Sequence, residues 1–451
     1  PKHGPGATAD GLTSNGKYRS RSWTSRLQSA GFRHYEYLTA TPVDEIREGP
    51  LVDILEPGQE EPVKVTLVPK TMKTPRVIAM EPACMQFMQQ ALYRSFIEFF
   101  ERDRLLSKMI GFDDQTPNQR MARDGSLGKG LATLDLSDAS DRVSNQLVRA
   151  MLSKWPILQE AIDSTRSRRA RVPETSNYPE RVIRLSKYAS MGSALCFPVE
   201  AMVFTTMIFV GIQRSLNMPL TRKHIKSLSS SVRVYGDDLI VPTGHVLSVV
   251  QALEHFGARV GLDKSFWTGR FRESCGREYY SGHDVSIVRV RDLFPTQRQN
   301  ADGVQSIVSL RNQLYQAGYW RTVSWLDNYI RKLIKYFPNV SPDSPLLGRE
   351  CSLGTRSEVV LGRKFERAHP YLHIPLVKGY RVVAKPPRDH LEGTGALLKC
   401  LLKLEHGSLV PLGPYPRLSL EEVKSIDSPQ HLERSGRPKR VDIKLGWCSP
   451  R

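Results

Sequence analysis

The residues in this chain best suited to chemistry are acids. Tyr235-Gly236-Asp237-Asp238 sets two adjacent carboxylates between Val232-Arg233-Val234 and Leu239-Ile240-Val241, short runs rich in β-branched residues that predict a β-hairpin with the acids at its tip. Two neighbouring aspartates in a partly buried place repel each other, and one must neutralise unless a cation offsets the charge. A hard divalent ion with oxygen ligands is the fitting partner. A plain surface turn is the competing account, because Gly and Asp favour turns on their own. The metal account gains from a second acidic element upstream, Leu131-Ala132-Thr133-Leu134-Asp135-Leu136. Its apolar run predicts a buried strand ending at Asp135, followed by a helix entered through Ser137-Asp138 and reaching Trp155. Asp135, Asp237 and Asp238 can together hold two magnesium ions, with manganese as a substitute. Ions about 3.5–4 Å apart clamp both oxygens of an in-line phosphoryl displacement. Asp138 is expected to cap the helix, and Asp141 either caps it or reaches a substrate.

Other elements must position these acids and complement their charge. Residues 63–80 alternate through Val63, Val65 and Leu67, cross a basic loop holding Lys70, Lys73 and Arg76, and return through Val77-Ile78-Ala79. This predicts a hairpin aiming its cations at a triphosphate, Arg76 foremost, since guanidinium meets phosphate oxygens bidentately; a solvated charged loop is the alternative. In Ser190-Met191-Gly192-Ser193, Gly192 permits a bend or a close backbone approach to a substrate, while Ser190 and Ser193 can donate to ribose or phosphate. A plain helix entry is the other account. The apolar stretch from Ser193 to Ile212 nearly spans a membrane in length, but Pro198 and Glu200 interrupt it, so a buried helix is expected. Helical spacing recurs at 86–100, at 246–256 before Gly257, and at 302–337. Arg166-Ser167-Arg168-Arg169-Ala170-Arg171 is a basic run in a loop-like region, solvated or tracking RNA backbone. Cys275 has no local base to make it a nucleophile.

Composition bounds the possibilities. A chain of 451 residues with 40% hydrophobic content builds a sizeable core in two or three subdomains. Its formal charge of +19 and pI near 9.7 favour a polyanionic partner, which makes the acidic cluster a local exception. Six dispersed cysteines show no zinc or disulfide spacing and suit a reducing cytoplasm. There are no internal repeats and no signal peptide, and the opening Pro1 in place of Met reads as a fragment or processed product. His3-Gly4-Pro5-Gly6-Ala7-Thr8 reads from its residues as a flexible end.

In order, Leu67 to Arg76, the Asp135 strand, Ser190 to Ser193, Tyr235 to Asp238, Lys264-Ser265-Phe266 and Phe271 to Gly276 resemble the motifs of the replicase catalytic subunits of Qβ-like RNA bacteriophages, the leviviruses. The resemblance covers roughly residues 1–290. It implies an RNA-dependent RNA polymerase of α+β, right-hand architecture, with a mixed palm sheet carrying the acids. The implied division is fingers at 1–125, palm at 126–155, a fingers insertion at 156–187, palm at 188–290, and a helical thumb with basic tail at 291–451. Asp135, Asp237, Asp238 and Lys264 would then be catalytic, the lysine protonating departing pyrophosphate. Lys70, Lys73, Arg76, Asp141, Ser190, Gly192, Ser193 and Gly236 would meet nucleotide or RNA, with Asp141 reading the ribose 2′-hydroxyl. Phe271 to Gly276 looks like a primer-grip turn, and the Gly4-Pro5 element like one that guides template into the site. The family form commonly has Asn at Ser193, which puts the sugar-reading network in question. The resemblance also implies further sequence upstream, template and product RNA and nucleoside triphosphates as ligands, host elongation factors Tu and Ts with a small-subunit ribosomal protein as partners, no membrane, and the cytoplasm of an infected bacterium as location. A reverse transcriptase, or a degenerate palm that only binds RNA, is the rival reading.

Overall fold

Three short strands carry the acids, and their register decides where the carboxylates stand. In the computed structural model, which describes residues 1–38, 52–69, 75–176, 178–351, 367–385, 387–408, 430–433, 438 and 440–450, Asp238–Pro242 is the central strand. Leu131–Asp135 pairs with it on one side and Arg233–Tyr235 on the other, both antiparallel. Leu131 to Leu134 and Leu239 to Val241 are buried, because this sheet is covered on both faces; that explains the unbroken apolar runs. The long helices Ala83–Arg102 and Cys196–Leu216, with Val246–His255, supply much of the surrounding core: Phe96, Phe100, Val199, Phe204, Ile208, Val249 and Leu253 join Leu134, Val234 and Leu239 in one cluster. Cys196–Leu216 is long and apolar enough to cross a membrane, and two thirds of its most apolar window is buried within the protein. Pro198 sits in its first turn, where a missing N–H costs nothing.

The acid-bearing sheet was expected to be mixed, and it is antiparallel. Its one parallel element is an isolated bridge between Ile110 and Val234. The mixed sheet is the basic one, ordered Pro75–Met80, Val63–Pro69, Arg169–Val172, Arg181–Arg184. There Val63 pairs parallel with Ala170, while Arg171 pairs antiparallel with Val182. The Arg166 to Arg171 run is therefore a loop only as far as Arg168. Arg166 is buried and Arg169 opens a strand.

The helix expected from Ser137 to Trp155 is two. Ala139–Arg142 ends where Val143 turns extended, and Ser144 starts Asn145–Leu152 by accepting from the Gln146 N–H. The N-terminal segment is anchored, not loose: His3 stacks on Phe87 with centroids 4.4 Å apart, and Lys17 Nζ donates to the carbonyls of Gly4 and Gly6.

Two compact units emerge. The first comprises 1–68, 76–286 and 389–435, and the second 69–75, 287–388 and 436–451. Residues 389–435 therefore leave the expected thumb. Leu398 and Leu402 of Gly393–Ser408 bury against Trp23, Leu27 and Phe87 of the first unit. The second unit is not helical alone. Ala301–Gln316 and Trp320–Leu333, broken at Gly318 with φ +84°, pack with a sheet in which Pro375–Lys385 pairs antiparallel with Arg440–Cys448. Of residues 435–440 only Pro438 and Arg440 are described, and Arg440 begins that strand.

Candidate active site

The sheet register sets Asp135 directly opposite Asp238. Tyr235 also pairs with Asp238, so Gly236 and Asp237 form a two-residue hairpin loop. Gly236 has φ +58° while Asp237 does not have positive φ, the pattern of a loop with glycine at its first position. A side chain there would strike the Phe197 ring, 2.5 Å from the position of its Cβ. Phe197 meets Tyr235 and Phe112 edge-on, with centroids 5.5 and 5.7 Å away, so the loop rests on an aromatic stack.

Asp135 is held through its backbone. Its N–H donates to Ser265 Oγ at 3.1 Å, its carbonyl accepts from Gly261 N–H at 2.8 Å, and Leu136 N–H donates to the Asp237 carbonyl at 3.1 Å. Thr133 extends the ladder outward to Phe266. Lys264 Nζ lies 3.9 Å from Asp135 Oδ2, with most of its side chain exposed.

Asp238 faces the hairpin Phe271–Ser274 and Arg277–Tyr280, whose connecting Cys275 and Gly276 both have positive φ. Arg272 fastens that hairpin to the acidic strand by donating to the Leu131 carbonyl at 2.7 Å. Burial, reinforced by the charges of Asp237 and Asp135, pushes the Asp238 carboxyl up to about 6. A bound cation would relieve that repulsion. Burial and the nearby Asp238 push the Cys275 thiol up to about 12, which removes it as a nucleophile near neutral pH.

The donor set suits a hard divalent cation. Among the described residues no three His, Cys, Asp or Glu side chains gather closely enough to cage one unaided. Magnesium in nucleotide sites ordinarily takes one or two carboxylates and completes its shell with substrate phosphates and water, so three acids on one strand-and-hairpin frame fit it.

Several of the other predicted residues take unexpected positions. Asp141 does not cap a helix; it lies within Ala139–Arg142 and its carboxylate pairs with Lys187 Nζ. Asp138 occupies the cap position with φ +53° and makes no capping hydrogen bond. Gly192, expected to permit a bend or a close backbone approach to a substrate, is required by the chain itself. At φ +140°, an added Cβ would lie 1.9 Å from the Ala79 carbonyl oxygen, and Ala79 N–H donates to the Met191 carbonyl at 2.9 Å. Ser190 is buried, and Ser193 Oγ accepts from the Leu195 N–H at 3.3 Å. Arg76 is exposed near the start of Pro75–Met80, the strand whose Ala79 braces Gly192. Lys70 and Lys73 lie outside the described residues.

One acid escaped the sequence reading. Glu200, within Cys196–Leu216, is buried and accepts from the Cys196 thiol at 3.6 Å. Burial, and after it the charge of Asp237, pushes its carboxyl up to about 8. The available signal was a lone carboxylate in an apolar helix, which had counted only against a membrane span.

The model of the family described as RNA replicase, beta-chain matches residues 53–386. The chain is 32% identical over 327 residues to the RNA-directed RNA polymerase subunit beta of Enterobacteria phage SP, covering 72% of this chain and 52% of that one. To the corresponding subunit of Escherichia virus Qbeta it is 36% identical over 262 residues, 58% of this chain and 39% of that one. To the RNA-directed RNA polymerase beta chain of Escherichia phage MS2 it is 34% identical over 221 residues, 49% and 36% respectively. The chain spans about half or less of the length of these relatives. Among solved structures, an RNA-dependent RNA polymerase of a human picobirnavirus aligns at 14% identity and TM-score 0.40 over 56% of this chain and 52% of that one, too weak a likeness to bear on the fold. On the match over residues 53–386, this chain belongs to the RNA replicase beta-chain family.

Proposed function

We propose that the chain is the catalytic part of a phage RNA-directed RNA polymerase, extending an RNA 3′-hydroxyl with nucleoside triphosphates on an RNA template. The observation that carries this reading is the pairing of Asp135 with Asp238 across the sheet, with Asp237 in the adjoining loop. The three acids would hold two magnesium ions, which lower the pKa of the attacking hydroxyl and neutralise the leaving pyrophosphate. Backbone pairing fixes Asp135 and Asp238 opposite one another, so their main-chain positions need no rearrangement for the carboxylates to bind. Lys264, beside Asp135 and largely exposed, would donate a proton to the departing pyrophosphate oxygen. Asp141, oriented by Lys187, accepts from the ribose 2′-hydroxyl. Arg76, with Lys70 and Lys73, meets the triphosphate.

The right-hand division into fingers, palm and thumb follows the same reading, with the second unit as thumb. So do assembly with host elongation factors Tu and Ts and a ribosomal protein, and action within an infected bacterial cell. Incorporation of labelled ribonucleotide on an RNA template tests the activity. It should require magnesium or manganese, vanish with chelator, and fall roughly a thousandfold or more in Asp237→Asn while RNA binding persists. Near-normal turnover in that variant would refute the metal assignment.

A further inference from the structure

A cavity of about 520 Å³ lies in the first unit beside the helix Asn145–Leu152. A water takes about 30 Å³, so the space exceeds what a single oxyanion needs. Arg149, Arg166, Arg168 and Arg184 line it against one acid, Asp163. Asp163 is already engaged, since its Oδ2 pairs with Arg168 Nη2 at 2.9 Å. Arg166 is buried and locked in place, donating from Nε to the Tyr188 carbonyl at 2.6 Å and from Nη2 to those of Leu185 and Lys187 at 2.8 and 2.7 Å. Arg149 and Arg184 are exposed, and among the described residues their side chains have no ion pair or hydrogen bond.

Four guanidiniums against one engaged carboxylate leave a strong uncompensated positive field, and guanidinium is the side chain matched to phosphate oxygens. Leu185 is the one apolar lining side chain, and no aromatic ring lines the space. A ligand would therefore be recognised by its phosphates and not by stacking of its bases. The volume, well beyond that of one oxyanion, and the exposure of Arg149 and Arg184 among its lining residues suit an extended ligand over a compact one.

We propose that this arginine pocket is a sequence-independent seat for the phosphate backbone of an RNA strand, separate from the acids of the active site. The assignment rests on reading the chain as an RNA-handling enzyme. It explains the partner of a basic run that the catalytic constellation leaves unused.

Fluorescence anisotropy of a labelled oligouridylate on the full chain, without nucleotide or metal, tests it. A chain that fails to polymerise still reports on the pocket under these conditions. Arg149→Gln combined with Arg184→Gln should weaken binding about tenfold or more and reduce the log–log salt slope by about 1.4, some 0.7 for each phosphate no longer neutralised. Arg149→Lys with Arg184→Lys keeps the charge and should retain the slope. Arg222→Gln with Lys223→Gln, two exposed cations of another helix in the same unit, lowers net charge equally and should change affinity little. Matching unfolding midpoints exclude misfolding, and Arg149→Gln alone, with half the slope change, serves if the pair does not fold. Three results would each overturn the proposal. They are unchanged affinity in the glutamine pair, an equal loss in the Arg222 and Lys223 control, and displacement of RNA by sub-millimolar tripolyphosphate from the wild-type chain alone, which would mark a site for free polyphosphate.

Discussion

The strand that ends in Asp135 and the loop from Ser186 to Ala194 hold their functional residues in different ways. The strand places Asp135 and Asp238 through a backbone ladder, which does not depend on the side chains it presents. The loop is held by particular side chains and close contacts: Lys187 on Asp141, Gly192 beneath the Ala79 carbonyl, and Ala194 N–H on Gln89 Oε1 at 3.1 Å. An acid of the ladder can lose its charge and keep its place. A residue of the loop cannot change without moving what it braces. Like charges need the first arrangement, because carboxylates that repel one another must be fixed by something other than themselves.

Alongside the loss of roughly a thousandfold or more expected at Asp237, an effect of comparable size belongs to the Asp141–Lys187 pair. Asp141→Ala should cut ribonucleotide incorporation far more than deoxyribonucleotide incorporation, narrowing their ratio by as much as about 10⁴ if the carboxylate bonds the 2′-hydroxyl directly. Single-nucleotide extension with matched pairs measures it. An unchanged ratio would leave the Lys187 pair as a structural brace and remove Asp141 from the substrate site.

Glu200 sharpens the contrast from beneath the ladder. Its folded pKa of about 8 lies above the unfolded value near 4.5, so the folded chain binds the extra proton. The fold is least penalised below about pH 4.5 and loses stability as pH rises toward about 8, by up to roughly 1.4 kcal/mol per unit. In metal-free protein, Glu200→Gln should gain stability relative to wild type across that window. Chemical denaturation at several pH values reads this, and parallel curves would show that Glu200 is not protonated in the fold.

The smallest effect compares two glycines. Gly192→Ala combines a left-handed backbone with a carbonyl clash and should cost about 1–3 kcal/mol. Gly58→Ala meets nothing within 4 Å and should stay neutral or gain about 0.4–1 kcal/mol. Thermal unfolding separates them, and equal midpoints would mean that the Met191–Gly192 contact with Ala79 yields freely.

Much of the ladder was legible because its signals are local. Alternating or continuous apolar runs of β-branched residues, a glycine at a two-residue turn, and acids at the strand ends specify the hairpin and the buried strand from short stretches of sequence. The same holds for the buried helix Cys196–Leu216 and for the glycine closing Val246–His255, where Gly257 has φ +93°. Ser144 illustrates the limit. Its capping side chain could have marked the break between two helices, but the serines and aspartates before it carry the same preference.

Sequence alone determined which residues could be ligands, that the acids lie on a buried strand and a hairpin, and that a polyanion is the natural partner of so basic a chain. Tertiary structure decided the rest, because those facts depend on residues distant in the chain. It set Asp135 opposite Asp238, aimed Lys187 at Asp141, seated Gly192 against the Ala79 carbonyl, and raised the carboxyls of Asp238 and Glu200 by burial. It also brought arginines from one helix, one strand and the segment between into a single cavity. Register, burial and charge convergence are properties of neighbours in space, and no local preference encodes them.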